Sequence, residues 1–348
     1  MPPESPPSLG DGAKIVIVTD AWHPQVNGVV RTLSTTTAEL QDMGHAVELI
    51  TPETFTTLPL PGYASIRLAV MPGREVARRL DAFSPDAIHI ATEGPLGQAA
   101  HRYCRQRGLP FTTAFHTQFP EYIRARMPLP LDWSYAYLRR FHAHAERTLV
   151  PTPSQRDALA ARGFRHLRIW PRGVDTRVFK PGDKGFLAGE RPLMINVGRV
   201  AVEKNLEAFL SLDLPGSKVV VGDGPDRARL EKRFPQALFV GEKFGDELAR
   251  HVAAADVMVF PSLTDTFGLV MLEAMACGVP VAAFPVTGPV DVVQNGRTGV
   301  LDSDLAAAVR GALRLDPADC VAYARAHSWR RCTQTFVANL APIPRLVH

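Results

Sequence analysis

The chain has 348 residues, 46% hydrophobic and 21% charged, which is the composition of an ordinary soluble globular protein with room for two domains of roughly 150 residues. Its formal net charge of +4 lies entirely in residues 1–172, where 19 Lys and Arg face 15 Asp and Glu; the remainder carries 20 of each. An excess of four is too small to point to a nucleic-acid partner, and no apolar run approaches the roughly 20 residues needed to span a bilayer.

The opening M-P-P-E-S-P-P-S-L-G-D-G is proline-rich and acidic and lacks the apolar core of a signal peptide, so residues 1–13 are expected to form a disordered tail. K-I-V-I-V-T-D (14–20) predicts a buried strand, P-Q-V-N-G-V-V-R-T-L a glycine-bearing loop entering a helix that runs to about Met43, and A-V-E-L-I-T-P a second strand. D-A-I-H-I-A (86–91), F-T-T-A-F-H (111–116) and T-L-V-P-T-P-S (148–154) read as further strands, with Ser154 capping the next helix and Gly163 ending it. Strands alternating with helices imply a parallel sheet covered on both faces.

A Gly/Pro-rich passage, 173–190, reads as a linker, after which the pattern restarts. P-L-M-I-N-V-G-R (192–199), S-K-V-V-V-G-D-G-P (217–225), A-L-F-V-G (237–241), V-M-V-F-P-S (257–262) and P-V-A-A-F (280–284) are its strands. Two doubly wound α/β domains are therefore expected, 14–172 and 191–328, with the ligand at the carboxyl ends of the strands and between the domains.

Several chemistries are excluded. G-D-G-P-D-R (222–227) lacks the third glycine and the following acid of a dinucleotide fingerprint, and no phosphate-loop motif G-x-x-x-x-G-K-[ST] occurs. D-S-D (302–304) precedes a helix and reads as a cap, and H-A-H (142–144), in a polar helix, has no further ligands beside it. Cys104, Cys277, Cys320 and Cys332 show no metal-ligand spacing and fit a reducing cytoplasm.

What remains is positive charge on strand-end loops. G-R-V-A-V-E-K-N (198–205) offers Arg199 and Lys204 at a predicted helix start, where an anion would meet two cations and free N–H groups together. Gly198, Gly222 with Gly224, and Gly268 are glycines on three such loops, and Phe267, Gly268 and Leu269 supply backbone N–H groups. A phosphorylated ligand is expected. Glu273 follows in a helix with no polar stripe, so its carboxylate is either paired internally or faces a ligand.

T-D-T-F-G-L-V-M-L-E-A-M-A-C-G-V-P-V (264–281) resembles the E-x7-E motif and following segment of the GT-B retaining glycosyltransferases of family 4. G-R-V-A-V-E-K-N, G-D-G-P-D-R-A-R-L, P-R-G-V-D-T-R-V-F-K-P, N-G-V-V-R-T-L and A-F-H-T match in order, so the resemblance covers about residues 14 to 340. It implies two Rossmann-like domains facing each other, with helix 329–348 crossing back to the first. Glu273 would accept hydrogen bonds from the donor ribose, among donor-side positions Gly198, Gly222, Gly224, Phe267, Gly268, Leu269 and Val270. Asp265 stands where the family has its first Glu, one methylene shorter. Arg199 and Lys204 would stabilise the departing diphosphate, so no metal or other cofactor is needed, and a same-face, retaining route is implied. His116 would contact the donor sugar and Gly28 would let the acceptor loop approach it.

The acceptor is less marked. Phe119, Tyr122, Trp133, Tyr135, Tyr137 and Phe141 alternate with Arg124, Arg126, Arg139 and Arg140, which suits either an anionic bilayer surface or a helix pair with its aromatics inside. H-I-A-T-E-G-P-L-G and F-H-T-Q-F-P-E-Y are similar to the branch that glycosylates lipids, with Asp20, Glu93 and Tyr122 on the acceptor side. The expected activity is transfer of glucose, glucuronate or mannose from a nucleotide-diphosphate sugar, a UDP-sugar before GDP-mannose, to a lipid such as diacylglycerol or ceramide, by a cytoplasmic protein peripheral on the membrane. A sugar-nucleotide epimerase and a non-catalytic nucleotide-sugar-binding protein are the alternatives.

Overall fold

The computed structural model describes residues 9–25, 27–60, 63–116 and 130–344; residues 1–8 of the expected tail lie outside them. It divides into two compact units, Met1–Pro171 with Trp329–His348, and Arg172–Ser328.

The first unit opens with β1 (Lys14–Val18), α1 (Gly28–Asp42) and β2 (Ala46–Ile50). The hairpin β3 (Thr57–Leu60) and β4 (Tyr63–Ala69) follows, then α2 (Gly73–Phe83), β5 (Ala87–Ile90), α3 (Pro95–Arg107) and β6 (Thr112–Ala114). The run closes with α4 (Leu131–His142), β7 (Arg147–Val150), α5 (Pro153–Ala161) and β8 (Leu167–Ile169). The main sheet has the order β2-β1-β5-β6-β7-β8 and is parallel throughout. Ile15, Val16, Ile17 and Val18 are all fully buried, because helices cover both faces of the central strand. Thr152, not Ser154, caps α5: its side chain accepts from the Gln155 N–H, and Pro153 takes the first helical position, where no N–H is needed.

The second unit contains β9 (Leu193–Val197), α6 (Leu206–Leu210), β10 (Ser217–Val221), α7 (Arg227–Arg233), β11 (Leu238–Gly241) and α8 (Gly245–Ala254). β12 (Val257–Phe260), α9 (Leu269–Ala276), β13 (Val281–Ala283), α10 (Pro289–Val292), β14 (Gly299–Leu301), α11 (Leu305–Ala312) and α12 (Pro317–Arg325) complete it. Its sheet is parallel in the order β11-β10-β9-β12-β13-β14. Alternate residues divide between two cores: Ile195, Val219, Val221, Met258 and Phe260 pack with α8 and α9 on one face, and Met194, Val220, Val257 and Val259 with α6 and α11 on the other. Residues 173–190 are not a free connection, since Val174 and Phe179 are buried in the first of these cores. Asp304 caps α11 by accepting from the Ala306 N–H.

α13 (Trp329–Asn339) belongs to the first unit. Phe336 lies 4.7 Å from the buried Trp170 ring, and Arg147 Nη1 donates to the carbonyls of Asn339 and Leu340 at 3.1 and 3.0 Å. The four cysteines are free and buried, Cys104 and Cys332 in the first unit and Cys277 and Cys320 in the second. Burial pushes the thiols of Cys104, Cys277 and Cys320 up to about 12.

Strand order fixes where chemistry can gather. In the first unit the chain leaves β1 toward β2 and returns on the other side at β5; in the second it leaves β9 toward β10 and returns at β12. The loops after these strands diverge at the sheet's switch point and open a crevice at its carboxyl edge.

Candidate active site

In the second unit the two loops at the switch point are tied together. After β9 the chain passes Gly198 and Arg199 into a single 3-10 turn, Val202–Lys204, and then the five-residue α6. Arg199 thus stands on the loop and Lys204 in the turn that leads directly into α6, so the helix start expected from sequence is present but short. Lys204 Nζ donates to both carboxylate oxygens of Asp265, at 2.6 and 2.9 Å, across the gap to the loop after β12. The two side chains are 25% and 16% exposed. Asn205, with φ at +52°, adds a second tie from its Nδ2 to the Pro261 carbonyl at 3.1 Å.

Gly268 heads α9 in the left-handed region, φ +81°, and a Cβ there would lie 2.9 Å from Phe260 Cζ and 2.8 Å from Met271 Cε. The helix therefore starts tight against β12, with Phe267, Leu269 and Val270 half-buried and everything from Met271 to Ala276 buried. Glu273 is only 3% exposed, one turn below the half-buried helix head.

Gly222 and Gly224 have an internal reason to be glycine. A Cβ on Gly222, φ +145°, would run into the Gly198 carbonyl, and one on Gly224 into that of Val200. The loops after β9 and β10 are laced by Gly198 N–H to Val221, Val200 N–H to Asp223 and Asp226 N–H to Val200, at 2.9, 2.9 and 3.1 Å. At Gly198 no described atom lies within 4 Å of the Cβ position.

At the first unit's switch point Asp20, from the end of β1, accepts from the Leu96 and Gly97 N–H groups at 2.8 and 3.3 Å and from the Thr92 hydroxyl at 2.9 Å. It caps α3 from another strand's loop, satisfying two N–H groups that the helix leaves unbonded. Burial pushes its carboxyl above the ordinary carboxylate value, against these bonds, which pull it down. Asp20→Ala is expected to lower the unfolding free energy by about 2 kcal/mol, seen as an earlier urea midpoint; an unmoved midpoint would mean the cap does not hold α3.

Glu93 follows β5, and its Oε1 lies 3.2 Å from His142 Nε2; His142 Nδ1 is in turn 2.9 Å from Thr113 Oγ1, which bonds Thr148 Oγ1 at 3.0 Å. Sequence reasoning placed His142 in a polar helix, whereas it is 3% exposed. The sign was present: Tyr135, Leu138 and His142 fall at i, i+3 and i+7, the buried face of α4. His116 is half-buried with its ring edge-on to Trp170 at 5.6 Å. Gly28 is exposed at the first position of α1, capped by the Asn27 side chain, which accepts from Val29 and Val30 N–H. Tyr122, with 119–129 of the aromatic and arginine segment, lies outside the described residues. Of the rest, Tyr135 and Phe141 pack inside while Trp133 and Tyr137 are exposed. Among the described residues no three His, Cys, Asp or Glu side chains gather as a metal-binding group.

A model for Glycosyltransferase Family 4 matches residues 26–178, and one for Glycosyl transferases group 1 matches residues 191–315. The GDP-mannose-dependent alpha-mannosyltransferase of Mycobacterium tuberculosis is 32% identical over 317 residues, covering 83% of this chain and 84% of its own. The chain belongs to the family 4 glycosyltransferases. A second relative, the alpha-monoglucosyldiacylglycerol synthase of Streptococcus pneumoniae, is 27% identical over 87% of this chain and 79% of its own. Anabaena HepE, solved in complex with UDP and glucose, superposes with a TM-score of 0.69 over 93% of this chain and 98% of its own, at 15% identity, a likeness of fold. This glycosyltransferase is a hexosyltransferase of the GT-B class that uses a nucleotide sugar. No helix among its described residues is long and apolar enough to cross a membrane.

Proposed function

We propose that this glycosyltransferase moves a mannosyl unit from GDP-mannose to a lipid at a membrane surface, with retention of anomeric configuration and without a metal ion. The observation that carries the donor site is the Lys204–Asp265 bridge beside the head of α9. An ammonium has three N–H donors, so Lys204 can hold Asp265 and still reach a phosphate oxygen. The bond from the anomeric carbon to the diphosphate breaks with both electrons leaving on the phosphate oxygen. Lys204, Arg199 and the N–H groups at 268–270 offset that charge. The acceptor hydroxyl then bonds the same face of the anomeric carbon, and its proton passes to the departing phosphate. Asp265, held by Lys204, serves the sugar hydroxyls and Glu273 the ribose.

The mannosyl donor is supported by the relative at 32% identity, which is named for GDP-mannose. The UDP-sugar favoured from sequence is the second reading, and the glucosyldiacylglycerol relative supports glucose as the sugar moved. That same relative, together with exposed Trp133, Tyr137, Arg139 and Arg140 on α4, supports a lipid acceptor at a membrane face.

A thermal-shift titration with GDP, UDP, ADP and CMP tests the donor. GDP is expected to raise Tm most, and Glu273→Ala to abolish the rise. A rise with UDP alone would move the assignment to the second reading. No rise with any nucleotide would remove the donor site from the second unit. Transfer of labelled mannose into a lipid extract then tests the acceptor.

A further inference from the structure

Three polar side chains of the first unit meet in an apolar interior. His142, the last residue of α4, is 3% exposed, and Thr113 on β6 and Thr148 on β7 are fully buried. The His142 ring lies among those of Phe115, Phe141 and Phe164, at 6.2, 5.2 and 5.9 Å. Apolar side chains of the same shape would fill this space at little loss of stability. The use of the network therefore lies in what it holds.

Its hydrogen bonds end on one carboxylate. A carboxylate only accepts, so the 3.2 Å contact between His142 Nε2 and Glu93 Oε1 puts a proton on Nε2. In the neutral ring Nδ1 is then an acceptor, taking the Thr113 hydroxyl at 2.9 Å, and Thr113 Oγ1 takes the Thr148 hydroxyl at 3.0 Å. In the charged ring the two threonine bonds reverse, and Nε2–H still donates to Glu93. Either way α4, β6 and β7 together fix Glu93 Oε1 from beneath.

Glu93 stands on the loop after β5, at the switch point of the first unit, with its side chain 21% exposed. Asp20, the other carboxylate there, is 6% exposed, and Leu96, Gly97 and Thr92 occupy both its oxygens. Among the described residues Oε1 of Glu93 is bonded to His142, while no hydrogen bond reaches Oε2. A carboxylate is planar, so holding one oxygen also aims the other.

We infer that Glu93 Oε2 accepts a hydrogen bond from a hydroxyl of the acceptor, and that His142, backed by Thr113 and Thr148, is the positioning residue that holds it there. The inference rests on the lipid-acceptor reading above and names the contact that orients the acceptor. A carboxylate oxygen attracts an O–H and repels a phosphate oxygen, so a hydroxyl is what the acceptor presents at this point. Glu93 binds and orients; the proton of the reacting hydroxyl still passes to the departing phosphate.

The test uses the full chain as wild type, Glu93→Ala, His142→Phe, His142→Gln and the double variant Glu93→Ala/His142→Phe. Each is given labelled GDP-mannose or labelled UDP-glucose and phosphatidylcholine vesicles carrying increasing amounts of a total lipid extract. Glu93→Ala is expected to raise the apparent KM for the extract about tenfold or more, with the KM for donor sugar unmoved. His142→Phe should raise it several-fold, and His142→Gln, whose amide N–H can stand where Nε2–H does, should recover part of that loss. The double variant should be no worse than Glu93→Ala, because a residue acting through Glu93 then has nothing to act on. All four tryptophans lie in the first unit, so their emission in urea reports whether that unit is folded in each variant. An unchanged KM in Glu93→Ala, or a His142→Phe loss that multiplies in full on the Glu93→Ala background, overturns the inference and leaves lipid transfer standing. Label that enters no lipid from either donor in the wild type overturns the lipid-acceptor reading, and this inference with it.

Discussion

Lys204→Ala is expected to lower kcat by about 10²–10³-fold, the usual cost of removing one preorganised group from a developing charge. The effect should fall on kcat more than on stability. Lys204 and Asp265 are 25% and 16% exposed, so water screens the pair and its loss costs folding about 1 kcal/mol or less. Loops after β9 and β12 also keep the Asn205 tie to the Pro261 carbonyl, so the crevice does not depend on the ion pair alone. The bridge makes the two side chains a coupled unit. Asp265→Asn removes the negative partner, and the double variant Lys204→Ala/Asp265→Asn should therefore lose less activity than the two single losses multiplied together. The check is kcat at saturating donor sugar beside the urea midpoint of each variant. Normal turnover by Lys204→Ala would end the account of leaving-group stabilisation given above.

Gly222→Ala should destabilise the second unit by about 3 kcal/mol or more. Its Cβ would meet the Gly198 carbonyl in a backbone conformation, φ +145°, that side chains rarely adopt. Relief requires the loops after β9 and β10 to part, which breaks the hydrogen bonds lacing them. Gly198→Ala is the matched control, since φ is +148° there but no described atom lies within 4 Å of the Cβ position. Only backbone strain remains, about 1–3 kcal/mol. Urea unfolding of both variants separates the causes: equal losses would mean that the close approach of the two loops contributes nothing.

That comparison also marks how far sequence carries. The strands were legible because two-sided burial in a parallel sheet demands unbroken apolar runs such as Ile15–Val18 and Val257–Phe260. Glycine spacing was legible too, but its cause was not: Gly222 and Gly224 lie against the backbone of the neighbouring strand-end loop, a relation between segments some twenty residues apart. Lys204 and Asp265 are 61 positions apart, and Asp20 meets Leu96 across 76, so neither partnership has a local sign. Asp20 illustrates the difference best. The family resemblance put it on the acceptor side, and what no local pattern disclosed is that its carboxylate caps α3. His142 is the opposite case, a residue whose burial was written in helical spacing and overlooked because its neighbours are charged.

The placement of the cysteines has a use of its own. With every thiol buried and three of them held as protonated, weakly nucleophilic groups, a labelling reagent gains access only when the surrounding structure opens. Cys104 and Cys332 sit in one body, Cys277 and Cys320 in the other, so modification resolved by peptide becomes a pair of independent clocks. The native chain thereby carries its own probes for whether the two halves unfold as one cooperative event or in succession, with no foreign label introduced.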